Sequence, residues 1–387
     1  MDFQKTSRVI ITCNKRLSPI LEAEVRELGF EPDRVFATGL ELTASLLDCI
    51  RLNLNLRSAS QVHYSLRQFQ VRNPEDLYQE VLRFQWENVI DRDGYFSVTS
   101  HVDHFTVNNP LFVNVKIKDA IVDRFRRETG VRPNSGSELD KTVIHVYWKE
   151  ENAELFIDTS GETLAKHGYR KIPGPAPMLE ALAASTILAS KWDRKSPFVN
   201  PMCGSGTLAI EAALIATGRK PGLYRDNYSF MHVAGYDPLY YSRELELMKS
   251  GIKDIEGLRI IATDISSDAI EISQVNAKMA GVEEMIEFSV CDFEETQLPE
   301  SPGVVFINPE YGERLGESSE LEITYARIGD FMKKKCKGYL GYIFTGNLDL
   351  AKKIGLKASR RIEFYSAKLD CRLLEYELYE GTKRVKS

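Results

Sequence analysis

The second half of the sequence contains four short apolar segments, each followed by a glycine-rich or polar group. Apolar runs of this length that alternate with helical stretches predict parallel β-strands joined by helices. The carboxyl ends of such strands meet at one edge of a doubly wound sheet, where ligands bind. The groups, with the segment that each follows, are Gly204 and Gly206 after 197–201, Asp264 after 258–263, Asp292 after 286–290, and Asn308 after 303–307. The sequence therefore predicts an α/β, Rossmann-like domain with these groups at one edge.

The first segment runs into the loop 200–207, which reads Asn-Pro-Met-Cys-Gly-Ser-Gly-Thr, and a helical stretch follows at once. A glycine turn between a strand and a helix lets a ligand approach the N–H groups at the helix N-terminus. The loop lacks the third glycine of a dinucleotide motif and the Gly-Lys-Ser/Thr of a phosphate loop. It is a candidate cofactor site, although an ordinary glycine turn would give the same pattern.

An acidic residue ends each of the next two predicted strands. Asp264 stands where an acid holds a ribose diol by paired hydrogen bonds, and Asp292 could accept a hydrogen bond from an adenine amino group, although surface turns also carry aspartate. The interval from Gly206 to Asp264 exceeds the usual spacing of roughly 20 residues because residues 218–257 are inserted. This insertion contains six aromatic residues, which we expect to pack against one another, with base stacking as the alternative.

The fourth segment ends in Asn308-Pro309-Glu310-Tyr311. The exocyclic amine of a base is a poor nucleophile because its lone pair is delocalised into the ring. The side-chain oxygen of Asn308 and a main-chain carbonyl held by proline geometry can orient this amine and direct its lone pair at a sulfonium methyl. Tyr311 can stack on the extruded base. An Asn-Pro turn alone is common, but the four strand ends together predict an S-adenosylmethionine-dependent methyltransferase that modifies such an amine.

This chemistry requires neither a covalent nucleophile nor a general base, because the amine can lose its proton after methyl transfer. No metal is expected, since His101 and His104 have no further ligands nearby in the sequence. The six cysteines are scattered without a Cys-x-x-Cys pair, which favours a reducing compartment. The apolar stretch near the N-terminus is too short for a signal peptide or a membrane span. We therefore expect a cytoplasmic protein with no membrane partner.

The first 170 residues are the candidate nucleic-acid-binding half. A length of 387 residues with 43% apolar residues allows two or three domains, and the net charge of −6 gives no global positive field, so any RNA or DNA surface must be local. The best candidate is an amphipathic helix over residues 113–129, with Ile117, Ile121 and Phe125 on one face. Its expected contacts with phosphates are Lys116, Lys118, Arg126 and Arg127. A solvated helix face is the alternative.

With these features identified, the chain resembles the bacterial THUMP-domain 23S rRNA guanine-N2 methyltransferases, often labelled as N6-adenine-specific DNA methylases. The resemblance covers nearly the whole chain. The matching motifs are KIKDAIVD at 116–123, DTSG at 158–161, GYR at 168–170, AP at 176–177, PMCGSGT at 201–207, Asn308-Pro309, YGERL at 311–315 and LDC at 369–371.

Residues 172–177 contain three prolines, cannot be helical throughout and predict a linker, which we place over 166–178. The resemblance implies the parts on either side of it: a ferredoxin-like part over residues 1–60 and a THUMP RNA-binding domain over 61–165 before it, and a Rossmann-like methyltransferase domain over 179–387 after it. It implies S-adenosylmethionine as cofactor and structured RNA, namely 23S rRNA or a ribosomal precursor, as substrate. The implied catalytic residues are Asn308, Pro309 and Tyr311. The implied cofactor-binding residues are Pro177, Asn200, Pro201, Gly204, Gly206, Thr207, Asp264, Asp292 and Asn308.

Three positions depart from the family pattern. Asn200 stands where the family usually has aspartate, residues 164–170 read LAKHGYR instead of LHKRGYR, and Glu310 replaces a second proline. The Glu310 carboxylate could accept a hydrogen bond from guanine N1–H or N2–H and disfavour adenine, but a solvent-facing side chain is the simpler interpretation.

Other functions share parts of this pattern. The Asn-Pro-x-Tyr chemistry also suits guanine-N2 in tRNA, adenine-N6 in DNA and the amide of a protein glutamine. A non-catalytic RNA-binding or assembly factor could retain the fold. The first 170 residues favour structured RNA, whereas the target nucleotide and the oligomeric state stay open.

Overall fold

The structure is a computed structural model that describes residues 1–174, 177–311, 318–366 and 369–379. The described residues form two compact units. The first unit contains Met1–Asn14, Leu21–Leu164 and Pro221–Ser250, and the second contains the other described residues.

The elements up to residue 158 are β1 (Thr6–Cys13), α1 (Ser18–Glu27), β2 (Arg34–Phe36), β3 (Gly39–Ser45), α2 (Leu46–Asn55), β4 (Ala59–Gln70), α3 (Pro74–Arg83), β5 (Tyr95–Asp103), α4 (Pro110–Thr129), β6 (Asn134–Gly136), β7 (Thr142–Lys149) and β8 (Asn152–Asp158). The later elements are α5 (Glu180–Ala189), β9 (Phe198–Pro201), α6 (Thr207–Ala216), α7 (Pro238–Ser250), β10 (Ile260–Asp264), α8 (Ser267–Met279), β11 (Ile286–Val290), β12 (Val304–Ile307), α9 (Ser318–Lys334), β13 (Leu340–Thr345), α10 (Leu348–Lys353), β14 (Arg360–Ser366) and β15 (Leu369–Glu377). No helix in these described ranges is both long enough and apolar enough to cross a membrane.

The first unit is built on one mixed sheet with the strand order β2-β3-β1-β4-β8-β7-β5-β6. In β1, Val9 and Ile11 are fully buried whereas Arg8 and Ile10 are partly exposed. This two-residue alternation is typical of a sheet that buries one face more deeply than the other.

Strand β4 connects the two halves of this sheet. It pairs antiparallel with β1 along its first residues and with β8 from His63 onward. The domain boundary expected between residues 60 and 61 therefore lies inside one strand. The parts expected at 1–60 and 61–165 therefore share one sheet through the main-chain hydrogen bonds on both sides of β4.

Most of the aromatic insertion folds with the first unit. Gly222 lies against the backbone of Leu54, where an added Cβ would come within 2.7 Å of the Leu54 carbonyl oxygen. Tyr228 and Phe230 are buried and their rings stack at 5.1 Å. The expectation that these two aromatics pack is confirmed. Pro221–Ser250, which lies within the range 179–387 expected for the methyltransferase domain, belongs to the first compact unit.

Helix α4 begins at Pro110, three residues before the predicted start. The Asn109 side chain accepts a hydrogen bond from the Leu111 N–H, and proline is favoured at the first helical position. The helix ends at Thr129, and the next residue, Gly130, caps it with a left-handed φ of +69°. The predicted apolar face of Ile117, Ile121 and Phe125 is buried, as expected.

The second unit contains a seven-stranded sheet in the order β11-β10-β9-β12-β13-β15-β14. Strands β9 to β13 are parallel, and β15 runs antiparallel to β13. The chain proceeds from β9 to one side and returns to β12 on the other, so β9 and β12 flank a topological switch point, where doubly wound folds bind ligands. Val305, Ile307, Tyr325 and Ile343 are fully buried in the core beside β12.

Candidate active site

Strand β9 leads into a loop with left-handed backbone at three positions. The φ values are +57° at Met202, +55° at Gly204 and +78° at Gly206. An added Cβ at Gly206 would lie 2.9 Å from the Ser273 Cβ, so both φ and space require glycine there. Gly206 caps α6 and offers no side chain to its first N–H groups. These N–H groups form an electropositive end that suits a carboxylate or another anion.

Asp264 fixes this loop. Its Oδ2 accepts a hydrogen bond from the Gly204 N–H at 2.9 Å, and its Oδ1 accepts one from the Ser266 N–H at 3.0 Å. The Ser273 hydroxyl donates to the Gly204 carbonyl at 2.7 Å. Each Asp264 oxygen keeps one lone pair beyond these bonds. The acid that ends β10 can therefore hold the loop and accept from a diol at the same time.

Asn200 joins the two strands at the switch point. Its Nδ2 donates to the Phe306 carbonyl in β12 at 2.8 Å. Its Oδ1 is buried, and no donor in the described part of the chain reaches it. Asparagine at position 200, where the family usually has aspartate, thus has a structural role, because a carboxylate has no N–H to donate to the Phe306 carbonyl.

Asp292 follows β11, close to Asp264, since the Cys291 N–H donates to the Asp264 carbonyl at 3.0 Å. Arg327 donates from Nη2 to both Asp292 oxygens at 2.9 Å, and the Glu294 N–H donates to Oδ1 at 3.0 Å. Partial burial raises the pKa of Asp292, but the hydrogen bonds from Arg327 and from the Glu294 N–H outweigh it and leave the pKa below its ordinary value.

The segment after β12 places Asn308 half-buried, Pro309 buried, Glu310 exposed and Tyr311 half-buried. The Oδ1 of Asn308 is solvent-inaccessible, and within the described ranges no donor reaches it. The Tyr311 carbonyl accepts a 3.4 Å hydrogen bond from the Asn347 side chain. The exposed position of Glu310 agrees with the simpler interpretation of its side chain. The motif residues 312–315 lie outside the described residues.

The expected linker, residues 166–178, is anchored in the second unit. Arg170 donates from Nη2 to the Met178 carbonyl at 2.6 Å and to the Thr207 hydroxyl, at the start of α6, at 2.8 Å. His167 and Tyr169 are fully or almost fully buried. The buried rings and the fixed arginine in residues 166–178, where a linker is expected, therefore belong to the second unit.

Pro177 is half-buried and precedes Met178. The neighbouring Ala176, also part of the family pattern, lies outside the described residues. Pro201 ends β9, and Thr207 is buried at the start of α6. The structure therefore gathers Asn200, Pro201, Gly204, Gly206, Thr207, Asp264, Asp292 and Asn308 at or near the carboxyl ends of β9 to β12, in the second unit.

The expected RNA contacts lie on α4, in the first unit. Lys116 forms an ion pair with Glu75 at 2.9 Å, Arg126 with Asp123 at 3.6 Å, and Arg127 with Glu128 at 2.8 Å. Lys118 is partly exposed and forms no ion pair within the described part of the chain. Exposed pairs of this kind contribute about 0–1 kcal/mol, so phosphates can compete with the acids for these cations.

The histidines that the sequence excluded as metal ligands stack on aromatic rings. The His101 ring lies 5.4 Å from that of Tyr147, and the His104 ring 4.3 Å from that of Trp148. Among the described residues, no group of three or more His, Cys, Asp or Glu side chains is placed to hold a metal ion.

Sequence reasoning missed two residues of this site. Asn347 follows β13 as Asn308 follows β12, and its side chain caps α10 as well as contacting Tyr311. The same strand-end rule applied to a fifth strand would have found it. Arg327 lies within the amphipathic helix α9, where the sequence carries no signal that separates it from other surface cations.

The sheet order, the glycine loop and the strand-end side chains define a Rossmann-like methyltransferase domain. The chain belongs to the family described as RMKL-like, methyltransferase domain, whose model matches residues 167–375. Models described as THUMP domain and RlmL ferredoxin-like domain match residues 71–158 and 8–63. These matches confirm the resemblance and the fold class predicted from the sequence.

Known proteins resemble the chain over nearly its whole length. It is 34% identical to the ribosomal RNA large subunit methyltransferase K/L of Syntrophotalea carbinolica over 95% of this chain and 53% of the relative. The chain thus spans about half the length of the curated relatives it matches.

Solved structures also resemble the chain over nearly its whole length. SMU.472, described as a candidate methyltransferase and crystallised with SAH, is 27% identical with a TM-score of 0.88, over 99% of this chain and all of that chain. A protein from Listeria monocytogenes described as a predicted N6-adenine-specific DNA methylase is 28% identical with a TM-score of 0.85, over 97% of both chains.

Proposed function

We propose that the chain transfers a methyl group from S-adenosylmethionine to the exocyclic N2 amine of a guanine in structured RNA, namely 23S rRNA or a ribosomal precursor. The observation that carries the proposal is the Oδ1 of Asn308, a buried acceptor directly after β12 that no donor in the described structure reaches. An unmet buried acceptor costs about 1–3 kcal/mol. An amine bound at this strand end would supply the missing donor.

The residues present fit the cofactor. S-adenosylmethionine supplies a methyl group bonded to a positively charged sulfur. No side chain caps the N-terminus of α6, so its first N–H groups are available to the carboxylate of S-adenosylmethionine. The buried Asn200 Oδ1 offers an acceptor for the ammonium group of the cofactor. The lone pairs that remain on Asp264 and Asp292 suit the ribose hydroxyls and the adenine amino group. The SAH bound to SMU.472, which shares this fold, supports the assignment.

Catalysis then depends on orientation of the amine. Asn308 accepts one N–H, and the main-chain carbonyl in the Pro309-Glu310 turn accepts the other. Two acceptors hold the nitrogen out of conjugation with the ring, so its lone pair is free to attack the methyl carbon. Tyr311 provides a ring on which the extruded base can stack. As the C–N bond forms, the bond from the methyl carbon to sulfur would break and SAH would leave with that electron pair; the methylated amine would then lose its extra proton to water.

Two observations support RNA as the substrate. The THUMP family model matches residues 71–158, and the curated relatives are named as ribosomal RNA methyltransferases. Helix α4, with Lys116, Lys118, Arg126 and Arg127, lies within that match and provides cations for phosphates.

The test is to incubate the purified chain with methyl-labelled S-adenosylmethionine and, separately, 23S rRNA transcribed in vitro, tRNA and duplex DNA. We expect label in rRNA as N2-methylguanosine, and labelling by Asn308→Ala that is slower by about 100-fold or more. Label only in tRNA or only in DNA would replace the proposed substrate with that one. Mass spectrometry of rRNA nucleosides from a deletion strain should show the loss of one N2-methylguanosine.

A non-catalytic RNA-binding or assembly factor is the second candidate, favoured by the departures at Asn200 and Glu310 from the family pattern. Calorimetry separates the two, because a factor that only retains the fold would bind RNA but not SAH.

A further inference from the structure

Arg327 occupies a defined position between two carboxylates of the second unit. Besides both oxygens of Asp292, its Nη2 donates to Glu294 Oε2 at 2.6 Å, and its Nε donates to the same oxygen at 3.2 Å. The guanidinium lies over the Phe293 ring, 4.9 Å from the centroid. Hydrogen bonds and a cation–π contact together hold the cation in one orientation.

The acceptor positions of Asp292 can be counted. Each carboxylate oxygen has two lone-pair positions. Arg327 Nη2 has two hydrogens and three acceptors, so one N–H is shared between the two Asp292 oxygens. With the Glu294 N–H as its second donor, Oδ1 has both positions used. Oδ2 accepts from Arg327, which leaves one position, and within the described residues no second donor takes it. The carboxylate therefore presents a single acceptor, on one oxygen, with its plane fixed by Arg327.

Arg327 also compensates the charge of a second acid. Glu294 lies two residues from Asp292 and shares the same guanidinium. Without the arginine, two negative charges would face each other at the end of β11, and the Asp292 carboxylate would keep only the Glu294 N–H as a donor, at Oδ1, so that its plane could rotate. A rotating carboxylate offers a donor several weak geometries instead of one good one.

We propose that Arg327 is a positioning residue that makes Asp292 selective for a single amino N–H, that of the cofactor's adenine. The inference rests on the proposed function, because it takes S-adenosylmethionine as the ligand. Arg327 contacts no reacting atom, and it acts only through the orientation and charge of Asp292.

The test compares the binding of SAH with that of S-inosylhomocysteine, in which a carbonyl replaces the adenine amino group. A carbonyl facing the free acceptor of Asp292 has no hydrogen to donate, so the wild-type chain should bind SAH about 10-fold or more tightly than the inosine analogue. Arg327→Met should reduce this ratio to about 3 or less. Arg327→Lys, which keeps the charge but loses the planar fork, should give an intermediate ratio.

Asp292→Asn should also lower the ratio, even with Arg327 in place. Lys334→Met is the matched control: it removes a cation of α9 whose exposed ion pair with Asp330 is away from Asp292, and its ratio should equal that of the wild type. Thermal melting checks that each variant folds. If Arg327→Met does not fold, Arg327→Lys still tests the inference.

If the ratio of SAH binding to binding of the inosine analogue is unchanged in folded Arg327→Met or Arg327→Lys, the inference about Arg327 is overturned and the proposed function is not. Equal binding of both ligands by the wild-type chain also overturns it, since Asp292 then does not read the amino group. No binding of SAH by the wild-type chain overturns both the inference and the proposed function.

Discussion

The side-chain amide of Asn200 donates a 2.8 Å hydrogen bond to the main-chain carbonyl of Phe306, which links the ends of β9 and β12. The bond leaves Asn200 Oδ1 as a buried acceptor beside the glycine loop. One neutral side chain thus joins two strands and offers an acceptor to the cofactor site.

Asn200→Asp should destabilise the second unit. The carboxylate cannot donate to Phe306, and its charge would be buried beside a carbonyl oxygen, so we expect a loss of about 1–3 kcal/mol in the free energy of unfolding. Urea denaturation at pH 7 measures it. Asn109→Asp is the control, because the exposed Asn109 side chain donates no hydrogen bond within the described residues and aspartate can still cap the Leu111 N–H; its stability should stay within about 0.5 kcal/mol of the wild type. Equal effects of the two substitutions would contradict a special role for Asn200.

Asn308→Ala should separate stability from catalysis. Removal of a buried oxygen that no described donor reaches should leave the free energy of unfolding unchanged or slightly raised. The single-turnover methyl-transfer rate should fall by about 100-fold or more, because one of the two acceptors for the amine is lost. SAH affinity, measured by calorimetry, should change far less than the rate. A variant that keeps the wild-type rate would exclude Asn308 from catalysis.

Lys118→Ala should weaken RNA binding with a signature in its salt dependence. Lys118 forms no ion pair among the described residues, so we expect it to contact a phosphate directly. Loss of one contact makes the slope of log affinity against log salt concentration shallower by about 1. Filter binding between 50 and 200 mM salt measures the slope. Lys249→Ala, an exposed lysine on α7 of the same unit, should leave it unchanged, and an equal response of both variants would assign the effect to net charge.

Asp158→Asn should remove a pH dependence of stability. Burial raises the pKa of Asp158 to about 7, although its Oδ1 accepts from the Ser160 and Gly161 N–H groups. Because the folded pKa lies above the unfolded value of 3.8, the carboxyl contributes stability that is complete below about pH 4 and is lost as the pH rises to about 7. Asparagine keeps both acceptor bonds without the charge. We expect the variant to be more stable than the wild type at pH 8, by about 2 kcal/mol.

Urea denaturation at pH 5 and pH 8 measures this difference. Asp93→Asn, at an exposed position of the first unit, should show no such dependence. If the difference in free energy of unfolding between the wild type and Asp158→Asn is the same at both pH values, Asp158 titrates normally.

The strand-end residues of the second unit could be predicted because each follows an apolar run directly. Asp264, Asp292 and Asn308 needed only local sequence and the rule that parallel strands share an edge. Their partners could not be predicted. Arg327 is 35 residues from Asp292 in sequence, and a single amphipathic helix gives no signal of which cation turns toward a distant acid.

The division of the chain into compact units could not be predicted for a related reason. Prolines at 172–177 mark a break in secondary structure, but they carry no signal of the hydrogen bonds that tie Arg170 to Met178 and Thr207. The long interval from Gly206 to Asp264 likewise identified the insertion after Gly218 without showing that Gly222 packs on Leu54. Such contacts join residues far apart in sequence, and only the folded chain displays them.

The return of Pro221–Ser250 to the first unit has a consequence for biosynthesis. A ribosome makes β1 to β8 first, yet the rings of Tyr228 and Phe230 that complete this unit are added only after β9 and α6 have been synthesised. The first unit therefore cannot finish folding as an N-terminal product of translation. The segment that completes the first unit, Pro221–Ser250, is synthesised only as part of the methyltransferase half.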